Sequence, residues 1–212
     1  MTPRSARPGR GRFGESRQGP HMEKMSIDAL DCEVLLSDNS RKRHSSFWQE
    51  RPVALVFPRH FGCPFGRRQV AQLRCKQNKL KKVEIDVVLG SSGTPAQAEA
   101  FRHDYKVPFT IIRDPNRVLF KKYGLRDMDL RDYRSPRMLV QVVKVLAGGY
   151  GYKSGQGSNS QLGGVFIIDT GGKVRFAHIA ANAADHPSPQ QIIQAAATLN
   201  RQVGAGLEEV LP

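Results

Sequence analysis

Apolar residues along the chain fall into blocks of two kinds, short unbroken runs and runs at helical spacing, and the two kinds alternate. Val53–Phe57 is a continuous apolar run rich in strand formers, as a strand buried on both faces requires. From about Pro64 to Leu80, apolar positions recur with helical period at Val70, Leu73 and Leu80, with Phe65 at the start. Arg67, Arg68, Arg74, Lys76 and Lys79 would supply the solvated faces. A second strand is expected over Val83–Gly90. A helix capped by Ser92 or Thr94 then runs to about Tyr105, with Ala98, Phe101 and Tyr105 on one side. Phe109–Arg113 reads as a third strand. Asp114-Pro115 caps a short helix with Val118, Leu119 and Tyr123 inward and Gly124 as its stop. Met138–Leu146 is apolar enough for either a strand or a helix; the crossover pattern favours a helix begun by Ser135-Pro136. After the Gly/Ser-rich loop 148–160, Gly164–Asp169 and Lys173–Ile179 form a hairpin across Thr170-Gly171-Gly172. Ser188-Pro189 starts a last helix with Ile192, Ile193, Ala196 and Leu199 on one face.

Ahead of this alternation lies a polar lead-in. Cys32–Leu36 reads as a short edge strand and Arg41-Lys42-Arg43-His44 as a basic loop, while Phe47 and Trp48 anchor the chain before the first buried strand. The whole pattern predicts an α/β domain with a central mixed sheet, flanking helices and a C-terminal hairpin plus helix, occupying residues 25–212. Residues 1–24 are set apart by their Arg, Gly and Pro content. Their six basic residues face Glu15 and Glu23 alone, a composition that buries too little apolar surface to fold. The segment fits a disordered basic tail, an organelle-targeting segment, or a remnant of recombinant expression ending near Met22 or Met25.

Charge narrows the function classes. The chain has 212 residues, and 33 Lys and Arg against 19 Asp and Glu leave a formal charge of +14. The excess is spread along the chain, with no zinc-finger spacing, RNA-binding aromatic signature or basic region followed by heptads, so nucleic acid is not the expected partner. The loop 148–160 has no G-x-x-x-x-G-K-S/T order for phosphate. No apolar run approaches the roughly 18 residues that span a membrane. Three cysteines cannot build a disulfide framework and fit a reducing compartment such as the cytoplasm.

One cysteine sits where thiol chemistry is favoured. Cys63 follows a buried strand and a Gly62 exit, and Pro64 suits the first turn of the helix that begins there. A thiol at a helix N-terminus faces unpaired N–H groups and the positive end of the dipole, and both favour thiolate. Arg67 and Arg68, one turn on, add positive charge, as do Arg59 and His60 if they turn inward. The competing reading is a buried Cys that only packs. Cys75 lies twelve residues further, about 18 Å along a straight helix, out of disulfide reach, and is expected to be a packing residue. Cys32 would serve as a resolving thiol only if the lead-in folded over the junction.

The residues around this junction resemble a known family. Arg59-His60-Phe61-Gly62-Cys63-Pro64-Phe65 is similar to the R-H-F-G-C-P-F-C signature of the peroxiredoxin-like proteins in the alkyl hydroperoxide reductase/thiol-specific antioxidant superfamily. Asp114-Pro115 with Tyr123-Gly124, the run Gln161–Asp169 with Gly172, Ala177-His178, and Ala184-Asp185-His186-Pro187 resemble further blocks of that group, in the same order. The resemblance implies a thioredoxin-like fold, Cys63 as catalytic residue, and Pro64, Arg67, Arg68 and His60 as supports of its thiolate. It implies no cofactor and no metal. Three departures accompany it: Gly66 stands where the family has a second cysteine, His60 where peroxiredoxins place Thr or Ser, and Gly163 near where they place a late-strand arginine. The expectation is therefore a one-cysteine thiol-dependent antioxidant or oxidoreductase. It would attack a small hydroperoxide or disulfide and be recycled by glutathione or thioredoxin. The alternative is a redox-inert binding or regulatory module on the same scaffold.

Overall fold

The computed structural model of the chain describes residues 28–129, 136–154 and 160–208. The expected tail, residues 1–24, and the Ser135 cap lie outside them. Seven strands form one mixed sheet: β1 (Glu33–Leu36), β2 (Arg41–Arg43), β3 (Val53–Phe57), β4 (Asp86–Ser91), β5 (Thr110–Arg113), β6 (Gly164–Ile168) and β7 (Val174–Ile179). Their order is β2-β1-β5-β4-β3-β6-β7. β3, β4 and β5 are parallel, while β1, β2, β6 and β7 each run antiparallel to their neighbours. Among the described residues six α-helices flank the sheet: α1 (Pro64–Cys75), α2 (Gln77–Lys82), α3 (Pro95–Tyr105), α4 (Val118–Lys122), α5 (Pro136–Ala147) and α6 (Pro189–Glu208). This is the thioredoxin-like arrangement, with the β6–β7 hairpin and α6 at its end.

β3 is central because both its faces are apolar. Alternate side chains point to opposite faces of a sheet. Ala54 and Val56 join Leu73, Phe101, Ile111, Ile167 and Ile192 in one core. Val53, Leu55 and Phe57 join Trp48, Ile112, Phe120, Tyr123 and Phe166 in the other. The predicted α6 face is buried at Ile192, Ile193, Ala196 and Leu199, and Met138–Leu146 lies within a helix, α5. Thr94 is the cap of α3, with a reciprocal Gln97 bond.

The structure departs from the sequence reading at several places. The helix after Cys63 breaks at Lys76, whose N–H closes on Leu73 and Arg74 carbonyls; the chain re-enters as α2, which buries Leu80. β4 starts at Asp86, because Glu84, at φ 48°, turns the chain first. The basic run 41–43 is a strand, β2. Its outward charges pair with β1 and its flank, Arg41 to Glu33 at 2.5 Å and Arg43 to Asp31 at 2.9 Å. Charge on an outermost strand protects its open edge, so a strand here looks like a loop in sequence, and β1 is interior rather than an edge. In α4, Val118 is exposed and Phe120 is buried in its stead. Asp114 serves that helix from a distance, accepting the N–H groups of Val118, Leu119 and Phe120. Cys75 is exposed, not packed. Arg67, expected on a wet face, is buried because two backbone carbonyls accept from its guanidinium.

Candidate functional site

At the C-terminal end of β3 the chain turns through Pro58–Gly62 into α1. The Cys63 N–H donates to the His60 carbonyl at 3.0 Å, and the Arg67 N–H donates to the Cys63 carbonyl at 3.0 Å, the first turn of the helix. Cys63 is the N-cap, in extended backbone conformation (φ −73°, ψ 122°), with Pro64 in the first turn. Its side chain makes no capping bond. Instead, the Arg59 guanidinium donates Nη1–H to Sγ at 3.6 Å, and the same guanidinium donates Nε–H to the Gln161 carbonyl at 2.9 Å. The sulfur thus meets one formal positive charge directly and lies at the positive end of α1.

The other expected supports stand differently. Arg67 donates to the Phe61 carbonyl at 2.7 Å and the Gly151 carbonyl at 2.6 Å, and its guanidinium lies over the Tyr105 ring. It ties the turn before Cys63 to the loop after α5. Arg68 lies toward His186. Burial first, and Arg68 next, push His186 down to about 4. His178 pairs with Asp185 at 3.1 Å, and that contact holds the Asp185 carboxyl below its usual range. Residue 66 is a glycine against which a Cβ would sit 3.2 Å from the Pro58 Cβ. At Gly163 a Cβ would fall on the Phe57 carbonyl, closer than the 3.0 Å that Cβ atoms respect. No side chain fits there, and the arginine beside the thiol comes from the β3–α1 turn instead.

His60 is almost fully buried (1% exposed), faces the edge of the Tyr152 ring, and has an Nδ1 without a hydrogen-bond partner. Burial, helped by Arg59 and Arg67, lowers its pKa from 6.5 to about 4. The imidazole is neutral at pH 7, so it brings no charge to the thiol. Its depressed value makes it a source of stability that is complete above pH about 6.5 and lost as pH falls toward about 4, because only the unfolded chain takes up the proton over that window. The loss from His60 alone is of the order of 3 kcal/mol. Urea midpoints should drop between about pH 7 and about pH 4.5, and His60→Gln should flatten that slope; a flat wild-type profile would contradict the burial of a neutral His60.

Cys63 itself is 0% exposed. It belongs to a buried apolar cluster with Phe65, Met128, Val145, Leu162, Ala180 and Ala183, against which Val142 and Tyr150 pack, so α5 contributes Val142 and Val145 to the cluster that encloses the thiol. All three cysteines are free. Cys75 ends α1, about 18 Å along the helix. Cys32 immediately precedes β1, three strand positions from β3, about 14 Å at the usual interstrand spacing. Both are beyond disulfide reach, and burial, then Asp31, raises the Cys32 thiol. Among the described residues no cluster of three His, Cys, Asp or Glu could hold a metal. The larger surface cleft, lined by Lys42, Phe47, Arg51 and Lys81, does not include Cys63.

The model of AhpC/TSA antioxidant enzymes matches residues 72–182, just over half of the chain. The chain belongs to that family. The matched residues begin after Cys63. Peroxiredoxin-like 2C of Mus musculus is 23% identical over 181 residues, which is 81% of this chain and 80% of that protein. The chloroplastic Thioredoxin-like protein AAED1 of Arabidopsis thaliana is 29% identical over 104 residues, 49% of this chain and only 42% of its own length. Among solved structures, the yeast mitochondrial 1-Cys peroxiredoxin superposes with a TM-score of 0.63 at 15% identity, covering 87% of this chain and 80% of that one. Peroxidoxin BcpB of Mycobacterium tuberculosis gives 0.59 at 16%, covering 83% and 96%. At these identities the structures establish a shared peroxiredoxin-like fold for this AhpC/TSA member. Two residues of the site were not singled out as such from sequence: Arg59 was one of several charges near the thiol, and Gln161 only part of a motif.

Proposed function

We propose that the protein is a one-cysteine, thiol-dependent oxidoreductase and that Cys63 is its reacting residue. The observation carrying this reading is the Arg59 guanidinium 3.6 Å from a sulfur at the N-cap of α1. The Cys63 thiolate attacks the outer oxygen of a hydroperoxide. An S–O bond forms, the O–O bond breaks, and the departing alkoxide takes a proton to leave as an alcohol. Sulfur is oxidised to a sulfenic acid and the peroxide is reduced by two electrons. A first external thiol displaces water to give a mixed disulfide, and a second releases Cys63 and leaves as the external disulfide. A disulfide substrate would enter at the mixed-disulfide stage. Glycine at 66 and the remoteness of Cys32 and Cys75 leave recycling to another molecule. The yeast 1-Cys relative is resolved via glutathione/thioredoxin systems, and we assign the same reductant class here.

In this scheme Arg59 holds the thiolate, Pro64 fixes the helix start, Arg67 locks the turn, and Arg68 adds charge to the first turn of α1. Neutral His60 offers its unpartnered Nδ1 to the peroxide. Residues 25–212 act as one domain, with residues 1–24 as an appendage, in a reducing compartment such as the cytoplasm. The burial of Cys63 favours a second reading, a redox-inert module in which the thiol only packs. One equivalent of hydroperoxide followed by a sulfenic-acid trap and peptide mass spectrometry separates the two. Cys63 should be labelled, Cys32 and Cys75 not, and glutathione or thioredoxin should restore the thiol. An unmodified Cys63 would favour the inert module.

A further inference from the structure

We propose that Gln161 is a positioning residue that holds Arg59 against Cys63, an inference that rests on Cys63 being the reacting thiol. Gln161 is 2% exposed, and both ends of its amide are engaged. Oε1 accepts from Arg117 Nη1 at 3.1 Å. Nε2 donates to the Leu162 carbonyl at 2.9 Å and the Arg126 carbonyl at 3.2 Å, with the Leu125 carbonyl at 3.4 Å. Its own carbonyl accepts Arg59 Nε–H.

Position 161 lies in a short ladder that closes the base of the α5 excursion. Leu162 N–H donates to the Arg126 carbonyl at 3.0 Å, Met128 N–H donates to the Ser160 carbonyl at 2.5 Å, and Asp127 bridges to Gln161. Arg117 pairs with Asp127 at 2.7 Å on the outer side of the same ladder. The guanidinium is a rigid planar fork, so anchoring Nε on Gln161 sets where Nη1 points, and Nη1 is the atom on the sulfur. Gly163, pressed on the Phe57 carbonyl, prevents the segment from drifting toward β3. Removing the Gln161 amide leaves the buried carbonyls it serves without that donor and frees the Gln161 backbone to shift. Arg59 would keep its charge and lose its aim.

The test is carried out on the full chain. Iodoacetamide labelling of Cys63 is followed by peptide mass spectrometry across pH, with Cys32 and Cys75 in the same sample as internal references. Arg59→Gln should slow Cys63 labelling at neutral pH by about tenfold, the usual size of a charge-assisted hydrogen bond. Gln161→Met should slow it to a similar degree, with the rate recovered at higher pH and the references unmoved. The double variant should be no slower than Arg59→Gln alone, since both act through one contact. Normal Cys63 labelling in Gln161→Met, alongside slowed labelling in Arg59→Gln, overturns the role of Gln161. Effects that add in the double variant overturn it as well. Normal labelling in Arg59→Gln overturns the reading of the thiol site itself and this inference with it. If Gln161→Met fails to melt cooperatively, Arg117→Met carries the test, with Asp127→Asn as its control: Arg117→Met removes the Oε1 partner together with the Asp127 pair, Asp127→Asn weakens that pair alone, and slowed Cys63 labelling is expected in the first and not in the second.

Discussion

Cys63→Ser is expected to fold normally and to consume no hydroperoxide. The serine hydroxyl is smaller than the thiol, and its shorter bond to Cβ leaves it farther from the Arg59 donor that stands 3.6 Å from the sulfur, so the fold should lose about 1–2 kcal/mol and no more. The loss of activity should be complete, a fall of at least about a thousandfold to the buffer rate, because an alcohol at neutral pH is neither a nucleophile nor a reductant toward peroxide. Peroxide consumption coupled to glutathione or thioredoxin reduction reads this directly. A variant lacking Cys32 and Cys75 should retain the wild-type rate, since neither lies within disulfide reach of Cys63. Peroxide consumption that survives in Cys63→Ser would remove the thiol from the reaction.

Gly163→Ala is expected to destabilise the fold more than Cys63→Ser does. Its Cβ has no room against the Phe57 carbonyl, and the obstacle is backbone at the end of the β3–β6 pairing, where Phe57 registers with Gly164. A flexible side chain would give way, but a paired strand does not. The cost should reach about 3 kcal/mol or more, read as a lowered denaturant midpoint. Cys63 labelling should slow as well, because the strand end that must yield carries Arg59 and the turn into α1. A Gly163→Ala midpoint within error of wild type would mean that β3 and β6 lie further apart than described. The same contact explains why this chain cannot carry a late-strand arginine at 163 and why its thiol partner precedes Cys63 by four residues.

Much of this arrangement is legible in the amino-acid order because its causes are local. β3 is a continuous apolar run and Pro64 marks the helix start, so Cys63 falls at the junction by near-neighbour logic. α6 and the β6–β7 hairpin are legible for the same reason. What is not legible depends on distant partners. The bond that fixes Arg59 comes from Gln161, and one of the two that bury Arg67 comes from Gly151, 84 residues away in sequence. His60 is held neutral first by its burial in the fold, then by its sequence neighbour Arg59 and by Arg67, and the burial is what the local sequence does not show. β2 is hidden by its charges, which suit an edge and mimic a loop. Cys75, expected to pack once it was out of reach of Cys63, is exposed because it stands two residues past buried Leu73, about 200° round α1 and so on its opposite face.

The enclosure of Cys63 has a consequence for timing. In the proposed cycle a sulfur with no exposed surface meets oxidant and reductant only when its apolar surroundings open, so each half of that cycle would wait on an opening event. If opening costs about 2 kcal/mol, only about one molecule in thirty is receptive at any instant, and turnover is capped by that fraction however reactive the thiolate. The closed interval would protect in return: in that cycle a sulfenic acid at Cys63 is shut away from a second peroxide between openings, and over-oxidation competes with the external thiol only while the site is open.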